Sequence, residues 1–514
     1  MSSLVKSTGI VSFSTLSSRI FGFIREICFA AFFGASQATD AFFIAFRIPN
    51  LLRRLVAEGS LTISFIPVYT DYLVNKGRKE SLLLAQKTFS LLLLVLATII
   101  VLGEVFAPQI VKVFAYGFQD PTIISLAINF TRIMFPYLVC ASFVAFSMGI
   151  LNSHGYFFAP AFSSVFLNLS MITGIIFFSS FFKQPLYGVT AGVLLGGLLQ
   201  IVFQIPYLIK AGFKVKFSLS FNHPGLKKIF RLIVPTLFGT AIYQVNILMG
   251  TILASFLPSG SVSYLYFSDR LTEMVLGIFI ISIGNVIFPE MSKIAATNDY
   301  KKIRKLYLAS LKGSLFLAIP ASLALMTIGF PIIAVFFWRG EFTLVDAQRT
   351  AQALWHASLG ISSVAILRIT SPTFFSLKDT KTPVLLAGLA FILNIGLGFF
   401  LMRTSLKHAG LALANSISVT VQVIILFYLL QKKIGRIKLS LFFKAFAKYL
   451  LAGLIMAFSI NYLSGLIDWL EMALLYKIGW LSLIVGVGGL IYFIACFLLR
   501  VEEINILFRR RKKG

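Results

Sequence analysis

Apolar runs of about 20 residues, the length of helix that crosses a bilayer, recur from one end of this 514-residue chain to the other. In hydrocarbon every backbone polar group needs an internal hydrogen-bond partner, so runs of this kind can fold only as spanning helices. Only 12% of the residues are charged and 58% are hydrophobic, where a soluble domain carries roughly a quarter charged residues. Every polar interval is short, which leaves no room for a separate soluble domain. The expected fold class is therefore an all-α polytopic membrane protein.

About fourteen spans can be drawn, near 9–33, 41–74, 83–113, 123–151, 158–181, 187–209, 229–256, 262–292, 306–337, 347–376, 383–402, 409–430, 445–465 and 476–499. The net charge of +28 is dealt into alternate loops. Lys76, Arg78 and Lys79 form one group; Lys210, Lys214, Lys216, Lys227 and Lys228 the next; then Lys301, Lys302, Arg304 and Lys305. Lys378 and Lys381, then Lys432, Lys433, Arg436 and Lys438, and finally Arg509 to Lys513 continue the series. The intervening loops 34–39, 115–121, 258–261 and 464–471 have neither Lys nor Arg, with Lys183, Arg339, Arg403 and Lys407 as the exceptions. That is the positive-inside pattern, and it predicts both termini in the cytoplasm. A nucleic-acid binder would gather its basic residues on one folded face, so nucleic acid is not an expected partner.

The chain also echoes itself. Residues 33–47 resemble residues 256–270, with Arg47 and Arg270 coinciding at an offset of 223. Phe65-Ile66-Pro67 resembles Ile287-Phe288-Pro289 at an offset of 222, and 152–160 resembles 375–383 at 223. This predicts two six-helix lobes of like orientation related by a pseudo-two-fold axis along the membrane normal, an arrangement found in transporters. The expected domains are 1–215 for the first lobe, 216–438 for the second, and 439–514 for two extra C-terminal helices and a basic tail.

Charges inside these spans are the strongest pointer to function. An arginine cannot realistically lose its proton, and at membrane depth it must face a wet cavity, a partner or an anionic ligand. Arg19 and Arg25 lie in the first span, and Arg47, Arg53 and Arg54 in the second. Arg19 and Glu26 are seven residues apart, on one helix face, so Glu26 is expected to neutralise Arg19 while Arg25 points about 120° away. Gly22 leaves room for a close approach. In the second span, after Asp40, Pro49 should kink the helix. Arg47, Asn50, Arg54 and Glu58 then share a stripe, with Arg53 beside it. A basic stripe suits phosphate, because the planar guanidinium donates in bidentate fashion. Span eight adds Asp269, Arg270 and Glu273, acidic groups placed to balance the basic ones, and Arg368 adds a cation to span ten.

No catalytic set competes with this reading. The chain has no GxxxxGK[ST] loop and no GxSxG elbow, and His356 with Glu341 is not a convincing acid–base pair. Cys28, Cys140 and Cys496 are isolated and the four histidines are scattered, so neither a metal centre nor a cofactor is expected. The arginines that interrupt the first span mark it as a retained helix rather than a cleaved signal.

Several segments resemble the MurJ (MviN) family of lipid II flippases, within the multidrug/oligosaccharidyl-lipid/polysaccharide exporter superfamily. The resemblance is carried by Ser18-Arg19-Ile20-Phe21-Gly22-Phe23-Ile24-Arg25, by Thr39-Asp40-Ala41-Phe42-Phe43 and by Ala45-Phe46-Arg47-Ile48-Pro49-Asn50-Leu51-Leu52-Arg53-Arg54. Ala57-Glu58-Gly59, Ser259-Gly260-Ser261-Val262-Ser263, Asp269-Arg270-Leu271, Lys381-Thr382-Pro383 and His408-Ala409-Gly410-Leu411 extend it over twelve spans. It implies a non-enzymatic carrier in the bacterial inner membrane. The carrier would move lipid II, an undecaprenyl-diphosphate-linked disaccharide-pentapeptide, to the outer leaflet by alternating access through a cationic central cavity. It further implies substrate-binding roles for Arg19, Arg25, Arg53 and Arg270 and gating or charge-balancing roles at Asp40, Glu58, Asp269 and Glu273, to which the helix-face reading adds Glu26, Arg47, Asn50 and Arg54. Lipid II, membrane lipids and the cell-wall synthesis machinery are the implied partners, and spans 13 and 14 would hold the lipid tail. Some members bear a sodium site with an acidic residue on span seven; residues 230–256 contain neither Asp nor Glu, which argues against sodium dependence. The competing readings are an exporter of drugs or of another lipid-linked oligosaccharide on the same scaffold, and a polytopic glycosyltransferase using Asp468 or Glu471.

Overall fold

Helices supply all the regular structure seen among the described residues. The computed structural model describes residues 2–55, 61–218, 220–297 and 299–504, and within them the side chains of all but 2–8, 234–236, 238–243, 278–286 and 288. By contact, the chain divides into two compact units, Met1–Val262 and Ser263–Gly514.

The first unit holds α1 (Ser2–Phe33), α2 (Gln37–Leu52), α3 (Thr62–Asn75), α4 (Gly77–Val105), α5 (Ala107–Phe114) and α6 (Pro121–Met134). It continues with α7 (Tyr137–Ser153), α8 (Phe158–Ile176), α9 (Leu186–Lys210) and α10 (Pro224–Ser255). The second holds α11 (Ser261–Ala296), α12 (Tyr300–Phe336), α13 (Leu344–Ser358), α14 (Ile361–Ser376), α15 (Lys381–Leu401), α16 (His408–Ile434), α17 (Leu439–Gly465) and α18 (Leu474–Leu498). Each of the fourteen spans drawn from sequence coincides with one of these helices or with a consecutive pair. Among the described residues nine helical segments, α6 and α7 counted together, are long and apolar enough to cross a membrane, ten if α13 and α14 count as one span bent by 43°. Apart from Arg368 on α14, the described intramembrane arginines and carboxylates singled out from sequence sit instead on α1, α2 and α11. Large apolar side chains such as Leu389, Ile392 and Phe400 on α15 and Phe458 on α17 are exposed, a surface that is at ease only against lipid.

Within the first unit, α8 and α9 meet along small residues. Gly188, Gly192 and Gly196 recur every four residues of α9; a Cβ on Gly192 would stand 2.7 Å from the Ser170 carbonyl, and one on Gly174 of α8 2.6 Å from that of Gly188. With no hydrophobic driving force between helices in lipid, such close backbone approach is what holds them. α1 also packs on α8. Between α3, α4 and α7, the rings of Phe65, Tyr69, Phe89 and Phe146 build a buried aromatic core. α10 packs on α3, α4 and α5.

α2 does not break at Pro49. It runs through the proline to Leu52 and then widens into π-type winding at Arg53–Leu55. Pro49 leaves the Ala45 carbonyl without its helical donor, and the separate π-type turn at Arg53–Leu55 is a form common at functional sites.

In the second unit α17 and α18 form a hairpin against α12, sharing a core of Phe316, Tyr449, Met456, Ile484 and Tyr492. α12 carries Pro320 and Pro331 and leaves helical geometry at Ile328 (φ −109°, ψ 22°).

The sequence echo has a structural counterpart in each unit. Arg78 Nη2, at the start of α4, donates to the Ala211 carbonyl beyond the end of α9 at 2.9 Å. Arg304, at the start of α12, donates in the same way to the Ile434 carbonyl at the end of α16. Both carbonyls precede a glycine in the left-handed region, Gly212 (φ 84°) and Gly435 (φ 87°). An arginine seated on the negative end of a helix is favourable electrostatically as well as through its hydrogen bond.

Candidate functional site

α1 brings its ionisable groups against α8. The Arg25 guanidinium, 11% exposed, is ion-paired with its neighbour Glu26, 4% exposed. Arg25 Nη1 also donates to Asn168 Oδ1 at 3.0 Å and approaches Met171 Sδ at 3.5 Å. The same Asn168 donates from Nδ2 to the Ser18 carbonyl at 3.0 Å, and Ser164 donates to the Ser18 hydroxyl at 2.8 Å. Gly22 faces this amide: a Cβ there would sit 3.5 Å from Asn168 Nδ2, an ordinary van der Waals contact.

The pairing therefore differs from the sequence expectation. Glu26 binds Arg25 rather than Arg19, because Arg25 folds back toward α8, where Asn168 offers an acceptor. Arg19 is half-buried and has no hydrogen-bond or ion-pair partner among the described residues. A lone cation in a spanning helix costs about 2.5–3.5 kcal/mol near the bilayer centre unless something polar meets it.

On α2, Asp40 is 3% exposed and its Oδ2 accepts from the Gly260 backbone N–H at 2.8 Å. Asp40 thus anchors the connection that follows α10. Arg47 donates to Thr251 Oγ1 on α10. Asn50 donates to the Phe46 carbonyl at 3.1 Å and accepts from Arg53 Nε at 3.0 Å, which aims the guanidinium of Arg53. Arg54, half-buried, has no such partner among the described residues. Glu58, the last member of the proposed stripe, lies outside the described residues. The stripe is divided in practice: Arg47 is engaged with α10, while Arg53 is positioned by Asn50 at the π-type turn.

In the second unit Arg270 of α11 is held from two sides. Its Nη1 pairs with Glu273 Oε2 at 3.0 Å, its Nη2 donates to the Tyr266 hydroxyl at 3.1 Å, and the guanidinium lies 4.6 Å from the centre of the Tyr266 ring. Its side chain is 31% exposed and that of Glu273 47%, so this ion pair is accessible to an anionic competitor. The Asp269 carbonyl accepts from Thr272 Oγ1 at 2.9 Å. Arg368 on α14 is half-buried, with no partner among the described residues.

Three side chains that position these arginines escaped the sequence reading: Asn168, Thr251 and Tyr266. Tyr266 was detectable, since it precedes Arg270 by four residues and so shares its face. Asn168 offered only the weak signal of one amide in an apolar span. No group of three His, Cys, Asp or Glu side chains that could hold a metal is found among the described residues. Chemically, the arrangement presents fixed guanidinium groups, with Arg25 paired to Glu26 and Arg270 to Glu273, pairs of a kind that can exchange a protein carboxylate for a phosphate oxygen.

The family described as lipid II flippase MurJ matches residues 29–478. A probable lipid II flippase MurJ from Buchnera aphidicola subsp. Schizaphis graminum is 35% identical over 505 residues, 98% of each chain. One from Vibrio cholerae is 38% identical over 445 residues, 82% of each. Among solved structures, a lipid II flippase MurJ in an inward closed conformation superposes with a TM-score of 0.79 at 29% identity, covering 95% of this chain and 98% of that one. An inward-facing multidrug resistance MATE transporter of the MOP superfamily, at 16% identity and a TM-score of 0.70 over 82% of this chain and 95% of that one, shares the fold.

Proposed function

The chain belongs to the lipid II flippase MurJ family, and from that premise we propose that its fixed arginines carry the diphosphate of lipid II from the cytoplasmic to the outer leaflet. It is a transporter and not an enzyme, and it is a multi-pass membrane protein. A diphosphate bearing sugars and a peptide cannot cross hydrocarbon unaided. Arg19, Arg25, Arg53 and Arg270 are the groups that would receive it, with the isoprenoid tail left in lipid. Glu26, Glu273 and Asp269 would hold the site in charge balance between cycles, Asn50 would aim Arg53, and Asp40 and Arg47 would brace it.

The observation that carries this reading is Arg19. It is a half-buried cation in an apolar helix, with no protein partner among the described residues, one residue from the Asn168-bound Ser18 carbonyl. Such a residue is stable when an anion or water meets it.

In this reading two lobes, 1–215 and 216–438, alternate access, and 439–514 contributes the tail-binding hairpin and basic terminus. Both termini face the cytoplasm of the inner membrane, as the Lys/Arg distribution indicates. Moving negative charge outward is favoured by an inside-negative potential, by about 2.3 kcal/mol per charge per 100 mV. The cell-wall synthesis machinery is the natural acceptor of the product.

The test is replacement of Arg19, Arg25, Arg53 and Arg270 by Ala, one at a time, with flipping of fluorescent lipid II measured in sealed vesicles and insertion checked separately. Loss of flipping at normal insertion is expected. Full activity in all four variants would refute the arginine mechanism.

A further inference from the structure

α12 and α13 enclose a recess of about 430 Å³ in the second unit, apart from the arginines discussed above. Its α12 wall, Leu325 to Phe330, spans the point where buried Ile328 leaves helical geometry. Its apolar wall includes Leu325 and Phe330, and its other wall is one face of α13, where Gln348, Gln352, Trp355 and His356 follow at spacings of four, three and one. Trp355 is 42% exposed and lies edge-on to the His356 ring, with centroids 4.9 Å apart.

The hydrogen-bonding inventory of this wall is largely unspent. His356 uses Nδ1 on the Gln352 carbonyl at 2.8 Å, which leaves Nε2 available. Gln352 Oε1 receives only a long contact of 3.4 Å from Arg349, and its amide nitrogen has no partner among the described residues. The same is true of the Gln348 amide and the Trp355 indole N–H. No Asp, Glu, Lys or Arg lines the recess.

These features eliminate most ligand classes. Without a cation the site does not select an anion, and without a carboxylate a single histidine makes a poor metal site. An acyl chain would strand the amide, indole and imidazole donors, at roughly 1–3 kcal/mol for each buried unsatisfied group. What fits is a neutral ligand with one apolar face and several hydroxyl or amide groups around its edge. A sugar ring has that form: its C–H face lies on an indole, and its hydroxyls reach amides and imidazole.

We propose that this α12–α13 recess is a saccharide-binding subsite, with Trp355 as the stacking platform and Gln348, Gln352 and His356 as the polar edge. It does not depend on the arginines, so the two readings can fail separately.

The experiment is a titration of the full-length protein in lipid nanodiscs with N,N′-diacetylchitobiose, read by tryptophan fluorescence and compared with Trp355→Phe. A saturable change that disappears in Trp355→Phe is expected, and Gln352→Leu, which leaves the fluorophore in place, should weaken binding about tenfold. A fluorescence change that survives intact in Trp355→Phe, or none in the wild type up to about 10 mM sugar, would overturn the proposal. So would quenching of Trp355 by acyl-chain-brominated lipid that the sugar leaves undiminished, since a lipid tail would then be the occupant. Because no translocation is measured, a negative result leaves the flippase reading intact.

Discussion

Asn168 joins two turns of α1 at once, accepting from the Arg25 guanidinium at 3.0 Å and donating to the Ser18 carbonyl at 3.0 Å. A single amide on α8 thereby sets both the direction of Arg25 and the height of the turn that carries Arg19. Hydrogen bonds to charged groups are worth about 1.5–3 kcal/mol. Asn168→Leu should therefore lower lipid II flipping by roughly one to two orders of magnitude at unchanged membrane insertion. Asn168→Asp keeps the acceptor but adds a second counter-ion beside Glu26, and should weaken diphosphate binding more than it weakens stability. Vesicle flipping assays alongside thermal unfolding separate the two effects.

Tyr266 contributes to Arg270 through both its hydroxyl and its ring. Tyr266→Phe removes only the hydrogen bond and should retain most activity, whereas Tyr266→Leu removes the cation–π contact too, worth about 0.5–2 kcal/mol. Flipping rates are expected in the order wild type, Phe, Leu. Equal activity in all three would show that Arg270 needs no such support.

The loop between α14 and α15 offers a titration outside the spans. Burial raises the Asp379 carboxyl, but this is outweighed by the Lys433 ammonium at 2.8 Å and by the Thr382 backbone N–H and hydroxyl at 3.0 and 2.7 Å, leaving its pKa at about 2. An unfolded aspartate titrates near about 3.9. The folded value is the lower one, so the stabilisation is complete above about pH 4 and is lost as pH falls toward 2. Asp379→Asn should lower stability at neutral pH and flatten the acid limb between those values. The check is the melting temperature in detergent as a function of pH.

The two arginine clamps should behave alike. Arg78→Ala and Arg304→Ala each strip a helix-terminal carbonyl of a charged donor, an effect of about 1.5–3 kcal/mol. Gly212→Ala and Gly435→Ala place a Cβ in a left-handed conformation, costing about 1–2 kcal/mol. The new methyl would also sit 2.6 Å from Arg78 Nη2 or 2.5 Å from Arg304 Nη1. Thermal unfolding should show a loss in all four variants. A loss confined to one unit would separate the two halves energetically.

Much of this architecture was legible in the chain itself. Run length located the spans, because a bilayer imposes one thickness on every helix. The paired clamps were not legible: Arg78 and Arg304 read only as loop charge, and although their acceptors Ala211 and Ile434 are 223 residues apart the arginines themselves are 226 apart. Helix periodicity did less well with side-chain partners. It paired Glu26 with Arg19 on a shared face, yet the contact is with Arg25, because a long flexible guanidinium can turn toward Asn168 on another helix. A kink was expected at Pro49, yet the helix runs through it to Leu52, and the π-type winding begins four residues further on, at Arg53. Tertiary partners such as Asn168 and Thr251 leave no periodic trace, since they are separated from Arg25 and Arg47 by 143 and 204 residues.

The clamps also divide each bundle into a stiff end and a compliant one. With Arg78 and Arg304 latching the Lys/Arg-rich ends of their helices, deformation has to be absorbed elsewhere. The second unit offers Ile328 and the 43° break between α13 and α14, and the first offers the widened turn at Arg53–Leu55. In the first unit that compliant turn carries Arg53 itself, so whatever binds this cation gains leverage over the local shape.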